Sequence, residues 1–264
     1  MTRLFRRGAV LLGVAGALFA GMQDGADSKL RELREQSMRN PERLDLRLAL
    51  GNAAVQSQSY DVALEAFQDV LAVLDPDSAA AGDVELRIGE TYRLKGDLES
   101  AASALRKARE LLPDNSVVPG ALALVLDLSG KFGEAEQSYR DALKLDPESA
   151  TTMNNLAYLL AMHGGSIEEA RVLAARAHAA DPDSGDFSDT LAVVLSRAGD
   201  LAGARAILLG LVCREPADEG FRRHLATVLE QEPARGTRED QLLSALRDSG
   251  SSPDLVLALA SKIR

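Results

Sequence analysis

Three histidines, one cysteine and recurrent Asp-Pro-Asp steps are the residues of this 264-residue chain with the most chemical potential. His163, His178 and His224 stand at unrelated spacings, and no H-E-x-x-H puts two imidazoles one helical turn apart. A helix-borne metal site is therefore not expected. Cys213 lies in the apolar run ILLGLVCREP and has no second cysteine to pair with. It reads either as a buried structural thiol or as a reactive one, and Arg214 is the adjacent cation that would favour the thiolate. Asp75-Pro76-Asp77 and Asp181-Pro182-Asp183 bring carboxylates together as an acid–base pair would. Proline, however, ends a helix, and an aspartate after it can cap the next one, so helix punctuation explains these steps better. The sequence has no glycine-rich phosphate loop and no G-x-S-x-G. We expect no catalytic residue, no metal and no cofactor, and read the chain as a non-enzyme.

The elements that carry these residues follow from composition and period. Apolar residues make up 46% of the chain but aromatics only 4%, so the core must be built from Ala and Leu. Such residues suit closely packed helices better than a sheet. The net charge is −10. Three basic residues and no acids precede residue 22, which leaves −13 on the remainder. A body of that sign repels phosphate backbones, so a nucleic-acid partner is not expected.

One unit recurs. In Gly82–Pro113, Ile88-Gly89 is followed by Tyr92, Gly96 breaks a first helix, Ala101, Leu105 and Ala108 mark a second, and Pro113 stops it. The landmarks return at Leu122-Ala123, Gly130, Ala135, Tyr139 and Pro147, then at Leu156-Ala157, Gly164, Ala170 and Pro182. Another copy has Leu191-Ala192, Gly199, Ala204 and Pro216, and an earlier one has Leu50-Gly51, Ala63, Phe67 and Pro76. The prolines from Pro113 to Pro216 are 34, 35 and 34 residues apart, and the gap from Pro76 to Pro113 is 37. The small residues let paired helices approach closely, and each pair must stack on its neighbours to bury its apolar face.

A helix-turn-helix period near 34 resembles the tetratricopeptide family. Ala63-x3-Phe67 and Ile88-Gly89-x2-Tyr92 fit its motif, whereas Arg47, Glu85, Pro119, Met153 and Ser188 take the aromatic place of its first helix. The resemblance implies an all-α chain, an α–α superhelix (TPR solenoid) of five to six helix-turn-helix repeats with a C-terminal capping helix. Residues 1–22 carry three arginines and then an apolar run, as a signal peptide or an uncleaved N-terminal anchor would. Residues 23–43 read as a charged tether, 44–216 as five repeats, and 217–264 as a degenerate sixth repeat and cap. In that last part Thr237 with Asp240 reads as a capping box.

In the family, first helices line a concave groove that accepts a peptide. Carried over, the groove residues are Asn52, Gln56, Arg87, Glu90, Arg93, Asn154, Asn155, Tyr158, Asp189 and Arg197. The basic clamp for chaperone carboxylates is not matched, because its places hold Leu48, Asn52, Arg87, Val117 and Ala121. The resemblance implies a scaffold for a protein or peptide partner in the assembly of an envelope system for secretion, pili or polysaccharide export. The alternative is an accessory subunit of an envelope enzyme complex, for cofactor attachment or polymer synthesis. The expected location is outside the cytoplasm, with membrane contact only through residues 1–22 if these stay uncleaved.

Overall fold

The computed structural model describes residues 28–232, 236–248 and 250–263. The signal or anchor expected at 1–22 lies outside them. The described residues form α-helices and no strand. Helix α1 covers 28–39. It is followed by α2 (Leu44–Gln56), α3 (Tyr60–Leu71), α4 (Ala79–Lys95), α5 (Leu98–Leu111), α6 (Val117–Leu128), α7 (Phe132–Leu145) and α8 (Ala150–Met162). Then come α9 (Ile167–Ala180), α10 (Gly185–Arg197), α11 (Leu201–Arg214), α12 (Glu219–Gln231), α13 (Thr237–Arg247) and α14 (Pro253–Ala260). No helix among the described residues is long and apolar enough to cross a membrane.

The helix junctions are built from short-range chemistry. Ser78, Ser149, Ser184 and Asp218 cap the first helices α4, α8, α10 and α12 through their side-chain oxygens. Asp97, Ser166 and Asp200 cap the second helices α5, α9 and α11. At the Asp-Pro steps, Asp75, Asp146 and Asp181 each accept a hydrogen bond from the backbone N–H two residues on. The residue that caps is therefore the serine after the step, not the aspartate following the proline, because the serine oxygen sits three residues before the N–H it satisfies. Within the pairs, Gly96, Gly130, Gly164 and Gly199 all have φ between 73° and 88°, the left-handed turn that glycine adopts without strain. The α2–α3 turn instead places Gln58 at φ 57°.

The chain divides into two compact units, one ending at Val125 and the other beginning at Leu126. In the first, Phe67, Val70, Val84, Ile88, Ala54 and Ala63 form the core, with Leu30 of α1 packed against it. Part of the stretch read as a tether is thus helical and rests on this core. The helix seams here are tight: a Cβ on Gly51 would lie 2.4 Å from the Phe67 ring, and one on Gly89 would lie 2.5 Å from Leu105 Cγ.

In the second unit, α8, α10 and α12 pack side by side, and α9, α11 and α13 back onto them. Leu208, Leu211, Leu225, Leu229, Leu242 and Val256 fill the C-terminal end of its core. Helix α14 closes that end against α11 and α13, with Ser252 as its cap and Pro253 in its first turn. Helix α13 starts one residue earlier than the capping-box reading requires: Gly236 is the N-cap in an extended conformation, no side chain caps the helix, and Thr237 is already its first residue.

Candidate functional site

In the first unit, α2 and α4 present their polar faces to a shared cleft of about 600 Å³. Asn52, Gln56, Arg87 and Glu90 line it, together with Asp83 and the apolar Val55, Phe67 and Leu86. Four of the five groove residues named from this part of the sequence therefore meet at one opening. The fifth, Arg93, acts on its rim, donating Nε and Nη2 to Glu90 Oε2 at 3.0 and 2.8 Å. Arg87 Nη1 donates to Asn52 Oδ1 at 3.0 Å, joining two successive first helices. The cations of this cleft already have partners.

The second unit has a cleft of about 420 Å³ on the face of α8, α10 and α12. Tyr158 and Met162 come from α8, Val193, Ser196 and Arg197 from α10, and Arg223, His224, Thr227, Val228 and Gln231 from α12. Leu208 of α11 lies at its floor and is fully buried. Of the residues named from sequence, Tyr158 and Arg197 line this cleft. Asp189 acts one layer back: both of its carboxylate oxygens lie 2.8 Å from His224 Nδ1, which fixes the imidazole.

Asn154 and Asn155 are not among the lining residues. Asn154 is 8% exposed, its Nδ2 donates to Asn155 Oδ1 at 3.3 Å, and its own Oδ1 is buried without a partner. The Tyr139 hydroxyl of α7 is also buried without a partner of good geometry. Burial and then the nearby Asp127 carboxylate push its ionisation well above the usual phenol range, a rise slightly offset by the neighbouring Asn155 side chain. Asn154 is thus buried, while Asn155 is half-buried and lies beside the Tyr139 hydroxyl of α7.

Sequence reasoning missed Arg223 and His224. The signal was present: they precede Leu225-Ala226 as Asn154-Asn155 precede Leu156-Ala157.

Two histidine contacts have the partners of a catalytic pair without its arrangement. Ser188 Oγ lies 3.2 Å from His178 Nδ1, but it donates its proton to Ser184 O at 2.9 Å and is 5% exposed. Its role is to tie the start of α10 to the end of α9. Among the described residues, no hydroxyl or thiol hydrogen-bonds to His224, and no group of three His, Cys, Asp or Glu side chains could hold a metal ion. Cys213 is partly buried against the core of the second unit. The arrangement can bind a ligand by apolar contact and hydrogen bonds.

The sequence model of the family described as the Cilia and flagella-associated protein 70 C-terminal domain matches residues 10–254. The chain belongs to that tetratricopeptide-repeat family. Among curated relatives, cellulose synthase operon protein C of Xanthomonas axonopodis pv. citri is 28% identical over 258 residues, or 90% of this chain and 16% of that protein. Type IV pilus assembly protein PilF of Pseudomonas aeruginosa is 35% identical over 75 residues, 28% of this chain and 30% of that protein. The tetratricopeptide-repeat chain thus spans less than a third of the length of either relative. A crystallised tetratricopeptide-repeat protein from Parabacteroides merdae superposes with a TM-score of 0.61 at 13% identity, over 83% of this chain and 98% of that one. The PilF structure superposes at 0.56 with 17% identity, over 85% and 91%. These likenesses concern the fold.

Proposed function

We propose that this chain is a non-catalytic scaffold that holds an extended segment of a protein partner on its first-helix face during assembly of a cell-envelope system. The observation that carries this reading is the gathering of Asn52, Gln56, Arg87 and Glu90, polar side chains from two successive first helices, around one cleft with an apolar floor. An extended peptide brings unpaired backbone N–H and C=O groups, which amide side chains satisfy from both sides. Its apolar side chains gain roughly 25 cal/mol per Å² on leaving water. In this reading residues 44–216 are the five repeats that build the face, and 217–264 are the sixth repeat and cap. Residues 1–22 are the signal or anchor that takes the chain to the envelope. PilF, a pilus assembly protein by name, supports the assembly role. The 28% identity to cellulose synthase operon protein C over 90% of this chain favours a second reading, an accessory subunit of a polymer-synthesising complex.

Position-specific photo-crosslinking tests the groove. A crosslinking amino acid is placed at Gln56 or Tyr158, and for comparison at Glu99 or Val172, exposed positions on second helices. One partner band from the first two sites and none from the others is the expected outcome. Crosslinks from Glu99 or Val172 at equal or greater yield would refute binding on the first-helix face. Identification of the band by mass spectrometry separates the assembly reading from the enzyme-complex reading.

A further inference from the structure

The cleft of the second unit differs from that of the first in what its cations do. Arg140, Arg171, Arg176, Arg205 and Arg247 each hold a carboxylate. Arg197 and Arg223, both exposed and both at the cleft, hold none among the described residues. The contact Arg197 does make is to Met162 Sδ at 3.6 Å, a weak acceptor that leaves its charge uncompensated. The chain has forty acids to thirty bases, so intramolecular partners are in surplus and two arginines at one opening still lack them. Between them the floor is apolar and closed, with Leu208 and Val228 nearly inaccessible and Val193 9% exposed. Both Asp189 carboxylate oxygens lie on His224 Nδ1, so this carboxylate does not hold either arginine.

From this charge pattern we infer that the α8–α10–α12 cleft selects a partner segment carrying an aliphatic side chain next to an aspartate or glutamate. The inference rests on the proposal that the first-helix face binds an extended segment. The aliphatic group fills the floor, and the acidic side chain meets the guanidinium groups at the rim, as charge-assisted hydrogen bonds require. Because both arginines are exposed, they act chiefly on selectivity and on the rate of association, while burial of the ligand's own aliphatic side chain supplies affinity. The first unit's cleft has no such preference: Arg87 rests on the neutral Asn52 and Arg93 on Glu90, but the carboxylates of Asp83 and Glu90 line the same opening and oppose an incoming acid.

The test uses the full chain and synthetic dodecapeptides of Gly and Ser with a central Leu-Leu pair. Asp, Asn or Lys flanks the pair, and acetylated and amidated ends keep the terminal carboxylate out of the measurement. Binding is read by fluorescence anisotropy at low and physiological salt. The Asp peptide should bind about threefold to fivefold tighter than the Asn peptide, the weight of an exposed ion pair, and the Lys peptide weaker still. The preference should shrink as salt rises. It should vanish in Arg197→Gln/Arg223→Gln, persist in Arg87→Gln, and turn toward the Lys peptide in Arg197→Glu/Arg223→Glu. These positions are exposed, and circular dichroism checks that the helices remain.

Equal binding of the three peptides, binding of none, or an Asp preference that survives the double substitution overturns the inference. So does displacement of the Asp peptide by a twelve-nucleotide oligothymidine, which would mark an unselective anion surface. The groove proposal fails separately: if the crosslinks at Gln56 and Tyr158 persist while the peptides show no acid preference, the charge inference alone is wrong.

Discussion

Two clefts are built on one plan and finished differently. In the first unit, glycines stand where helices meet, and the cleft's arginines are already held by Asn52 and Glu90. In the second, alanines stand at the corresponding seam, Ala157 and Ala192, both fully buried, and two cleft arginines point outward without acids. A repeat architecture can hold its period constant while its groove chemistry changes from one helix pair to the next, because period depends on small seam residues and binding depends on the opposite face.

The seam offers the sharpest contrast. Gly89→Val puts a Cβ 2.5 Å from Leu105 Cγ and 3.3 Å from the Ala101 carbonyl, so the α4–α5 pair must separate. We expect a loss of about 1–3 kcal/mol in urea unfolding, the usual range for overpacking, with amide exchange rising in the first unit. Ala157→Gly in the second unit should cost only about 1 kcal/mol, mainly helix propensity. Amide exchange in α4 and α5 left unchanged by Gly89→Val would mean that the first seam is not as tight as described.

The turns give a smaller effect of opposite sign. Gln58 occupies the left-handed conformation that glycine takes at Gly130, Gly164 and Gly199. Gln58→Gly should stabilise the first unit by roughly 0.5–1 kcal/mol, since relief of the left-handed strain exceeds the added chain entropy. No rise in the denaturation midpoint would show that the turn bears no strain.

Charge gives a pH signature in the second unit. Hydrogen bonding to Arg140 holds the Glu169 carboxyl below its ordinary value of 4.5. Its stabilising contribution is therefore full above that value and is lost as the pH falls through the lower, folded-state value. Wild type should lose stability on acidification below pH 4.5 more steeply than Arg140→Gln, and parallel curves would contradict this account of the pair. The smallest expected change is in Tyr139→Phe, which removes a buried hydroxyl that has no hydrogen-bond partner. Stability should hold or rise by less than about 1 kcal/mol. A clear loss would mean that the hydroxyl is satisfied, by Asn155 or by water.

The helix pairs were legible because proline, glycine and the small seam residues each do one local job at a fixed spacing. The first cleft was legible for the same reason, since Asn52 and Arg87 occupy first-helix positions that share a face. The burial of Asn154 was not. Asn154 has the residue type of a groove contact, but whether an amide faces solvent or a neighbouring helix depends on packing that periodicity does not encode, and here it is buried. The sequence hides Arg223 and His224 because no turn glycine follows α12 at the place of Gly96, Gly130, Gly164 and Gly199, although the Leu225-Ala226 register is intact. The mis-assigned caps have a simpler cause: Asp and Ser both cap helices, and the spacing from the proline decides between them.

The most direct test of the account is photo-crosslinking from Gln56, Tyr158 and Val172 in cells, each with and without Arg197→Gln/Arg223→Gln. The account predicts one partner captured from Gln56 and Tyr158 and not from Val172, with the arginine substitutions weakening capture at Tyr158. Capture from Val172 alone, or capture at Tyr158 unchanged by the loss of both arginines, would contradict it.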